Sequence, residues 1–328
     1  MNIWNKSFKN TLDGFKVFLD PSHTDYWRPN LPVDGLAFQA TSTAYYLDFS
    51  AKTFYSGPFD SAGVFMTDFG GQIGVQYFVI DMAQYALGCW KQAWDIEPEK
   101  SQDWFQKFYI QVSWLLEHQV KKDSTGVLAG VWLHYFPFSF QGCTIPWWAG
   151  MAQGQAISVL IRAYWHSGEQ HFLEAARLAA CALILPLEEG GCGTIEEPNG
   201  HGWFLQEYNS PDYILNGCIF ALWGLYDLYR ATNEESWKEW IDRVNDTLEY
   251  YLSRFDMGYY SAYEMYGKPN GPCTPFYHRL HIKQLNILAK LTGRVTFSEY
   301  AKRWELQNTI YLNRLRALIA KMAAKIKS

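Results

Sequence analysis

The chain has 328 residues, enough to bury a substantial core in one large domain or two smaller ones. A net charge of −5, with only 19% charged residues, leaves no basic stripe to neutralise phosphates and excludes nucleic acid as a partner class. Aromatic residues reach 18%, with 15 Trp and 22 Tyr, which suits both a packed core and a groove where flat rings stack on sugars.

From Met1 to Phe18 there is no uninterrupted apolar run, and Lys6, Lys9 and Lys16 interrupt what there is. Neither a signal peptide nor a membrane anchor is expected from this stretch. The six cysteines are scattered, several within apolar helical patterns, with no CxxC pair and no Cys/His zinc spacing. Reduced thiols in a cytoplasmic protein are the expectation, and no metal. Turn signals at Asp20–Pro21, Arg28–Pro29, Gly57–Pro58 and Gly70–Gly71 surround β-like runs at Leu36–Thr43 and Tyr45–Phe49. Residues 1–77 therefore read as a small β-rich extension packed on a helical domain spanning 78–328.

One helical pattern then occurs four times: Tyr85–Ala86–Leu87, Ser158–Val159–Leu160, Phe220–Ala221–Leu222 and Asn286–Ile287–Leu288, the leucines spaced by 73, 62 and 66 residues. A second helix follows each, opened by Trp104, Phe172, Trp237 or Phe297. Two helices per repeat predict hairpins stacked side by side. The first helices are apolar nearly all round: Ala152–Tyr164 carries only Arg162 and Leu215–Tyr229 only Asp227. They have no water-facing side and should form an inner ring. The second helices, such as Glu234–Arg254, have one apolar stripe and belong outside. Breaks at Ser167–Gly168, Thr232–Asn233 and Thr292–Gly293 separate the partners. The fold expected is mainly α: an α/α toroid, or incomplete barrel of helical hairpins, with short β-hairpins in its loops. Three long segments, 121–147, 186–213 and 255–279, connect one hairpin to the next. They are rich in Gly, Pro and aromatics, should share one end of the ring, and are where binding and catalysis are expected.

Several blocks carry a resemblance. Met151–Tyr164 (MAQGQAISVLIRAY), Glu207-Tyr208 with Leu215–Gly217, Gly224–Tyr229, Tyr277-His278 with His281 and Gln284, and Arg303-Trp304 follow in order. Together with Ala83–Gly88 they make the chain similar to the D-glucuronyl C5-epimerase family over roughly residues 63–304. That resemblance implies an α/α helical catalytic domain that converts D-glucuronate to L-iduronate within a polysaccharide such as heparosan or the heparan sulfate backbone, without a nicotinamide cofactor. The expected partner is a glucuronate-containing polysaccharide or oligosaccharide, with homodimerisation left open.

Inverting C5 means removing a proton α to a carboxylate and returning one on the opposite face, so an enolate-like charge gathers on the carboxylate oxygens. This needs a base, an acid on the other face, and donors around the carboxylate. Glu207 lies in an uncharged aromatic stretch and resembles the family's catalytic glutamate; a salt-bridged loop glutamate is the bland alternative. Tyr208, Tyr263 and Tyr277 resemble the family's functional tyrosines, with Tyr277 the expected opposite-face acid. For Tyr208, a helix-entry aromatic serves equally well as an explanation. His278 and His281 share an i, i+3 face, which reads as one substrate contact and one core histidine rather than a metal pair. Asn216 and Gln153 at inner-helix starts are sugar contacts or structural ties, with the ties slightly favoured. Tyr45, Tyr46 and Tyr77 either extend a groove or fill an aromatic core.

One departure from the family pattern stands out. An arginine three residues after the tyrosine matched by Tyr263 is replaced here by Tyr266. Carboxylate recognition then falls to Arg279, His278, Lys268 or Arg28, or the substrate differs. The competing readings are a uronate lyase or glycoside hydrolase, for which Glu196, Glu197 and Glu264 are further carboxyls, and a non-catalytic polysaccharide-binding relative.

Overall fold

A computed structural model describes residue 18 and residues 44–95, 97–124, 126–138, 143–196, 200–265 and 271–327 of the chain. The described residues are mainly helical. In chain order the helices are α1 (Val79–Asp95), α2 (Pro98–Glu117), α3 (Gly150–Ser167), α4 (Gln170–Ile184), α5 (Leu215–Thr232), α6 (Glu235–Tyr251), α7 (Pro275–Thr292), α8 (Val295–Thr309) and α9 (Tyr311–Lys327). All four repeated leucines lie in the first helix of a pair, and all four opening aromatics in the second. None of the described helices is long and apolar enough to cross a membrane.

Three of the hairpins turn the same way, and the sequence shows why. Ser167, Thr232 and Thr292 each donate their hydroxyl to the carbonyl four residues back, at 2.9, 3.0 and 2.7 Å. Each hydroxyl then accepts the N–H two residues ahead, of Glu169, Glu234 and Arg294. The residue between them (Gly168, Asn233 or Gly293) is left-handed, with φ of 75°, 54° and 70°. Its N–H closes the last turn onto Tyr164, Tyr229 or Ala289. One hydroxyl thus satisfies an end of each helix, and the αL residue reverses the chain at little steric cost.

The described residues fall into two compact units: residues 44–213 with Gly217–Leu248, and Ile214–Asn216 with residues 249–327. In the larger unit α1 packs on α2, α3 on α4, and α1 on α3. An unbroken run from Gly150 to Ala163 is buried, in keeping with an inner helix. Fully burying each of Ile157, Leu160 and Ile161 favours the fold by about 1.5–3 kcal/mol. Helices α3 and α5 cross with their backbones touching: a Cβ on Gly154 would meet the Cα of Ala221 at 2.4 Å, and Gly224 lies as tightly against Gly154. The α6 face turned inward repeats at helical spacing through Trp237, Ile241, Val244 and Leu248, and Asn245 Nδ2 donates to the Tyr226 hydroxyl of α5 at 2.8 Å. In the smaller unit α7 packs on α8, and α9 packs on α8. The four-hairpin pattern did not anticipate α9.

Strands are short and antiparallel. β1 (Thr67–Asp68) pairs with β2 (Val75–Gln76), β3 (Val120–Ser124) with β4 (Val127–Val131), and β5 (Gly193–Glu196) with β6 (Gly202–Leu205). Registers run Val120↔Val131 to Ser124↔Val127, and Gly193↔Leu205 to Glu196↔Gly202. Two of the long connecting segments therefore carry the expected hairpins. The run Tyr45–Phe49 is not a strand, and Leu36–Thr43 lies outside the described residues. Its aromatics are anchors: Tyr45 stacks on Phe49, and Tyr46 lies on Trp223 with ring centroids 4.7 Å apart. Two ionic contacts fix this lead-in. Lys52 Nζ reaches Asp81 of α1 at 3.4 Å, and Arg162 of α3 binds both the carbonyl of Ala44 and the buried Asp227 of α5.

Candidate active site

Glu207 lies two residues after β6, at the start of a loop pinned by its neighbour Gln206. Gln206 donates its N–H to Cys192 at 2.7 Å and its amide to Thr194 at 2.8 Å, while its Oε1 accepts the N–H of Tyr213 at 2.7 Å. Glu207 itself is buried, and that desolvation raises its pKa to about 7, against the lowering effect of a hydrogen bond from Tyr208. Its carboxylate lies over the backbone of Gly217 in the first turn of α5. A Cβ there would sit 2.3 Å from Oε2 and 2.5 Å from the Glu207 Cβ, so the carboxyl fits only because residue 217 has no side chain.

Tyr208 is buried among rings supplied by the other long segment of this unit. Its ring lies 5.5 Å from Phe138 and 5.9 Å from Trp147. Trp147 stacks on His134 at 4.2 Å and donates its indole N–H to the carbonyl of Phe136 at 2.8 Å. Burial lowers His134 to about 4, so it is a neutral partner there. Segments 121–147 and 186–213 therefore meet around Glu207–Tyr208, an apolar surround that a proton-accepting carboxyl needs.

Three other residues picked from the sequence lie in this unit. Gln153 is fully buried and serves as a tie: Nε2 donates to Gly130 at 2.7 Å and Ala179 at 3.4 Å, and Oε1 accepts the N–H of Trp132. Tyr46 is core, its hydroxyl donating to Asp227 at 3.1 Å. Tyr77 is partly exposed and donates its hydroxyl to Asp60 at 2.9 Å.

The smaller unit holds the remaining candidates. Tyr263 is buried and its ring meets Tyr277, in the first turn of α7, edge to face at 5.0 Å. The carbonyl of Tyr263 accepts the N–H of Leu215, and Asn216 offers its carbonyl to Gln284 Nε2 at 3.1 Å. Arg279 is partly buried on α7. His278 and His281 are both fully buried, on opposite sides of one hydroxyl: Ser261 Oγ lies 2.8 Å from His278 Nδ1 and 3.0 Å from His281 Nδ1. His278 also stacks on Tyr260 at 3.7 Å, and its Nε2 meets the Trp304 carbonyl at 3.0 Å. Burial drives both histidines down to about 3, so they are neutral. With both nitrogens of His278 engaged inside the protein, the substrate contact expected of it gives way to a structural role. Tyr266, Lys268 and Arg28 lie outside the described residues.

The sequence reading missed Gly217 as a packing partner of Glu207, Ser261 as the hub of the histidine pair, and Lys321 on α9. Burial lowers the Lys321 pKa, and the charges of Cys273 and Glu264 oppose this. The glycine immediately after Leu215-Asn216 was visible within the family block, but nothing in its spacing signals contact with a glutamate ten residues earlier.

The model of the D-glucuronyl C5-epimerase C-terminus matches residues 128–306, more than half of the chain. The chain belongs to the D-glucuronyl C5-epimerase family. Glu207, Tyr208, Tyr263 and Tyr277 all fall within the matched stretch. The D-glucuronyl C5-epimerase of Caenorhabditis elegans is 27% identical over 175 residues, covering 48% of this chain and 28% of the nematode protein. An uncharacterized protein of Methanocaldococcus jannaschii is 25% identical over 246 residues, covering 72% of this chain and 79% of its own length.

Proposed function

We propose that this protein inverts C5 of D-glucuronate units in a polysaccharide such as heparosan, with Glu207 as the base. The observation that supports this most is the pairing of Glu207's enclosure with its pKa near 7. A carboxylate in water is too weak a base for a C5 proton, and burial strengthens it toward neutrality, where both forms are populated. In the proposed step the Glu207 carboxylate takes the C5 proton, and the electron pair of that C–H bond moves into an enolate on the uronate carboxyl. A tyrosine O–H then returns a proton to the opposite face. Tyr277 is assigned this role on the family block it belongs to, Tyr263 supports it through their ring contact, and Tyr208 assists Glu207. Arg279 is proposed to face the uronate carboxylate in place of the arginine that Tyr266 replaces.

The test is incubation with heparosan in D2O followed by NMR. Deuterium at C5 with new iduronate signals is the expected result. An intact polymer without deuterium, or a shortened one, overturns the proposal. Because the base must be ionised, kcat should fall as pH drops through about 7, and Glu207→Gln should lower exchange by at least about 1,000-fold while the far-UV spectrum is unchanged. Undiminished exchange in that variant removes Glu207 from the role.

A further inference from the structure

A groove on the larger unit lies outside the residues proposed for catalysis. Two cavities of about 460 and 390 Å³ share Tyr77, Trp114, Glu117 and His118, and so form one continuous trough. Each falls in the range of ligand sites, roughly 300–1,000 Å³. At one end the trough reaches Asp60 and the α2 face bearing Gln106, Ser113 and Glu117; at the other it reaches Tyr135 and Phe136.

Its floor is a row of rings. Trp114, in the last turn of α2, and His118, which caps that helix, stack face to face at 4.2 Å and 7° from parallel, and Tyr77 lies 5.1 Å from Trp114 at a tilt of 32°. The platform is held in place. His118 Nδ1 is 2.9 Å from the Trp114 carbonyl, and Tyr77 is fixed through Asp60, whose carboxylate also accepts the N–H groups of Ala62 and Val64. The indole N–H of Trp114 is shielded from solvent and has no acceptor among the described residues. Polar groups line the rim: Gln106, Ser113, Glu117 and His118 are exposed, as is Tyr135 at 68%.

We propose that this trough is an auxiliary sugar-binding subsite for neutral hexopyranose units of the polymer. It deepens the epimerase reading, and rests on it, by naming where the chain is held away from the reacting unit. Pyranose rings with equatorial substituents present flat C–H faces that pack on aromatic faces such as those of Tyr77, Trp114 and Tyr135 along the trough, while carboxylates and amides at the rim take the hydroxyls. Charge selects the unit. The trough's two carboxyl side chains are Asp60 and Glu117, and among the described residues neither Lys nor Arg lines it. A uronate would meet only like charge there, so the trough fits the uncharged residues of an alternating chain. Its far end connects to the candidate base. Phe136 packs on Trp147 at 5.4 Å, and Trp147 packs on Tyr208.

The probes are a neutral cellotetraose and a neutral N-acetylglucosamine tetramer, with an anionic tetragalacturonate for comparison, read by saturation-transfer NMR and tryptophan fluorescence on the full chain. The expected result is saturable binding of at least one neutral tetramer and none of the anionic one. Trp114→Ala and the surface change Tyr135→Ala should each weaken that binding, the former at least tenfold, with unchanged melting of Tyr135→Ala as the control for folding. KM for the long polymer should rise in Tyr135→Ala. Absence of neutral binding, preference for the anionic tetramer, or binding indifferent to both substitutions overturns the subsite. Binding does not require turnover, so it is read equally in Glu207→Gln: neutral binding without C5 exchange sinks the reaction alone, and exchange without neutral binding sinks the subsite alone.

Discussion

At the scale of single residues, the decisive feature is how a carboxyl comes to be buried against the backbone of a glycine. Glu207 gains its place because Gly217 withholds a side chain, so the two positions act as one. Gly217→Ala is expected to push the carboxyl out of its apolar surround, at an overpacking cost of about 1–3 kcal/mol. C5 exchange should then drop at least tenfold, and the acid limb of its pH profile should move below 7 as the carboxyl regains water. A pH profile that keeps its midpoint, with only the protein's stability reduced, would show that Gly217 does not position Glu207. The residue types at 207, 208, 263 and 277 were legible in the sequence because they sit in recognisable blocks. The Gly217 contact and the Ser261 hub were not, because both depend on side chains meeting across a loop whose path no local pattern encodes.

At the scale of elements, the family's signature helix is largely a packing device. Within MAQGQAIS, Gly154 lets α3 touch α5, Gln153 ties β4 to α3 and α4, and Gln155 meets Gln84 of α1 at 3.4 Å. The hairpin turns and the buried first helices were readable from hydroxyl–glycine breaks and charge-free runs, since both are local. Helix α9 was missed because its apolar residues include several exposed ones, such as Leu312 and Ile319, and it echoes none of the four repeats. Another element-scale expectation concerns the stretch around Ser261, which is clamped to α7 through His278 and His281. Both histidines are held near 3 in the fold, below the usual value of about 6.5. The unfolded chain therefore takes up protons first. Their contribution to stability is complete above pH 6.5 and is lost as pH falls toward 3, by up to about 1.4 kcal/mol per pH unit for each. Chemical denaturation of His281→Gln from pH 7 to 4 should show a shallower loss than the parent chain. Equal slopes would mean the pair titrates as freely in the fold as out of it.

Across the whole molecule, the mainly helical class and the order of paired helices were evident from composition and repeat alone, because a 48% apolar chain with two charge-poor runs among four repeated helical patterns has few other ways to bury them. Less evident was how buried charge is arranged. Arg162 of α3 and Asp227 of α5 form a fully buried pair at 2.7 Å, and Arg230, also on α5, approaches Asp227 at 3.3 Å. Arg162 also donates to the carbonyls of Ser158 and Ala44, and Asp227 also accepts from Tyr46. Removing one partner strands the other's charge, so Asp227→Asn should lower stability by about 3–5 kcal/mol by urea unfolding. The double change Arg162→Met with Asp227→Leu should recover much of that loss. A single variant as stable as the parent would show that the pair contributes nothing.

The thrice-used hydroxyl turn has a consequence for how such a protein diversifies. Each turn is closed by groups from its own six or so residues, so it makes no demand on what the chain does at the opposite helix ends. The pitch of those three hairpins is therefore set locally, and exchanging one such turn for another should leave the helix pair it joins unchanged.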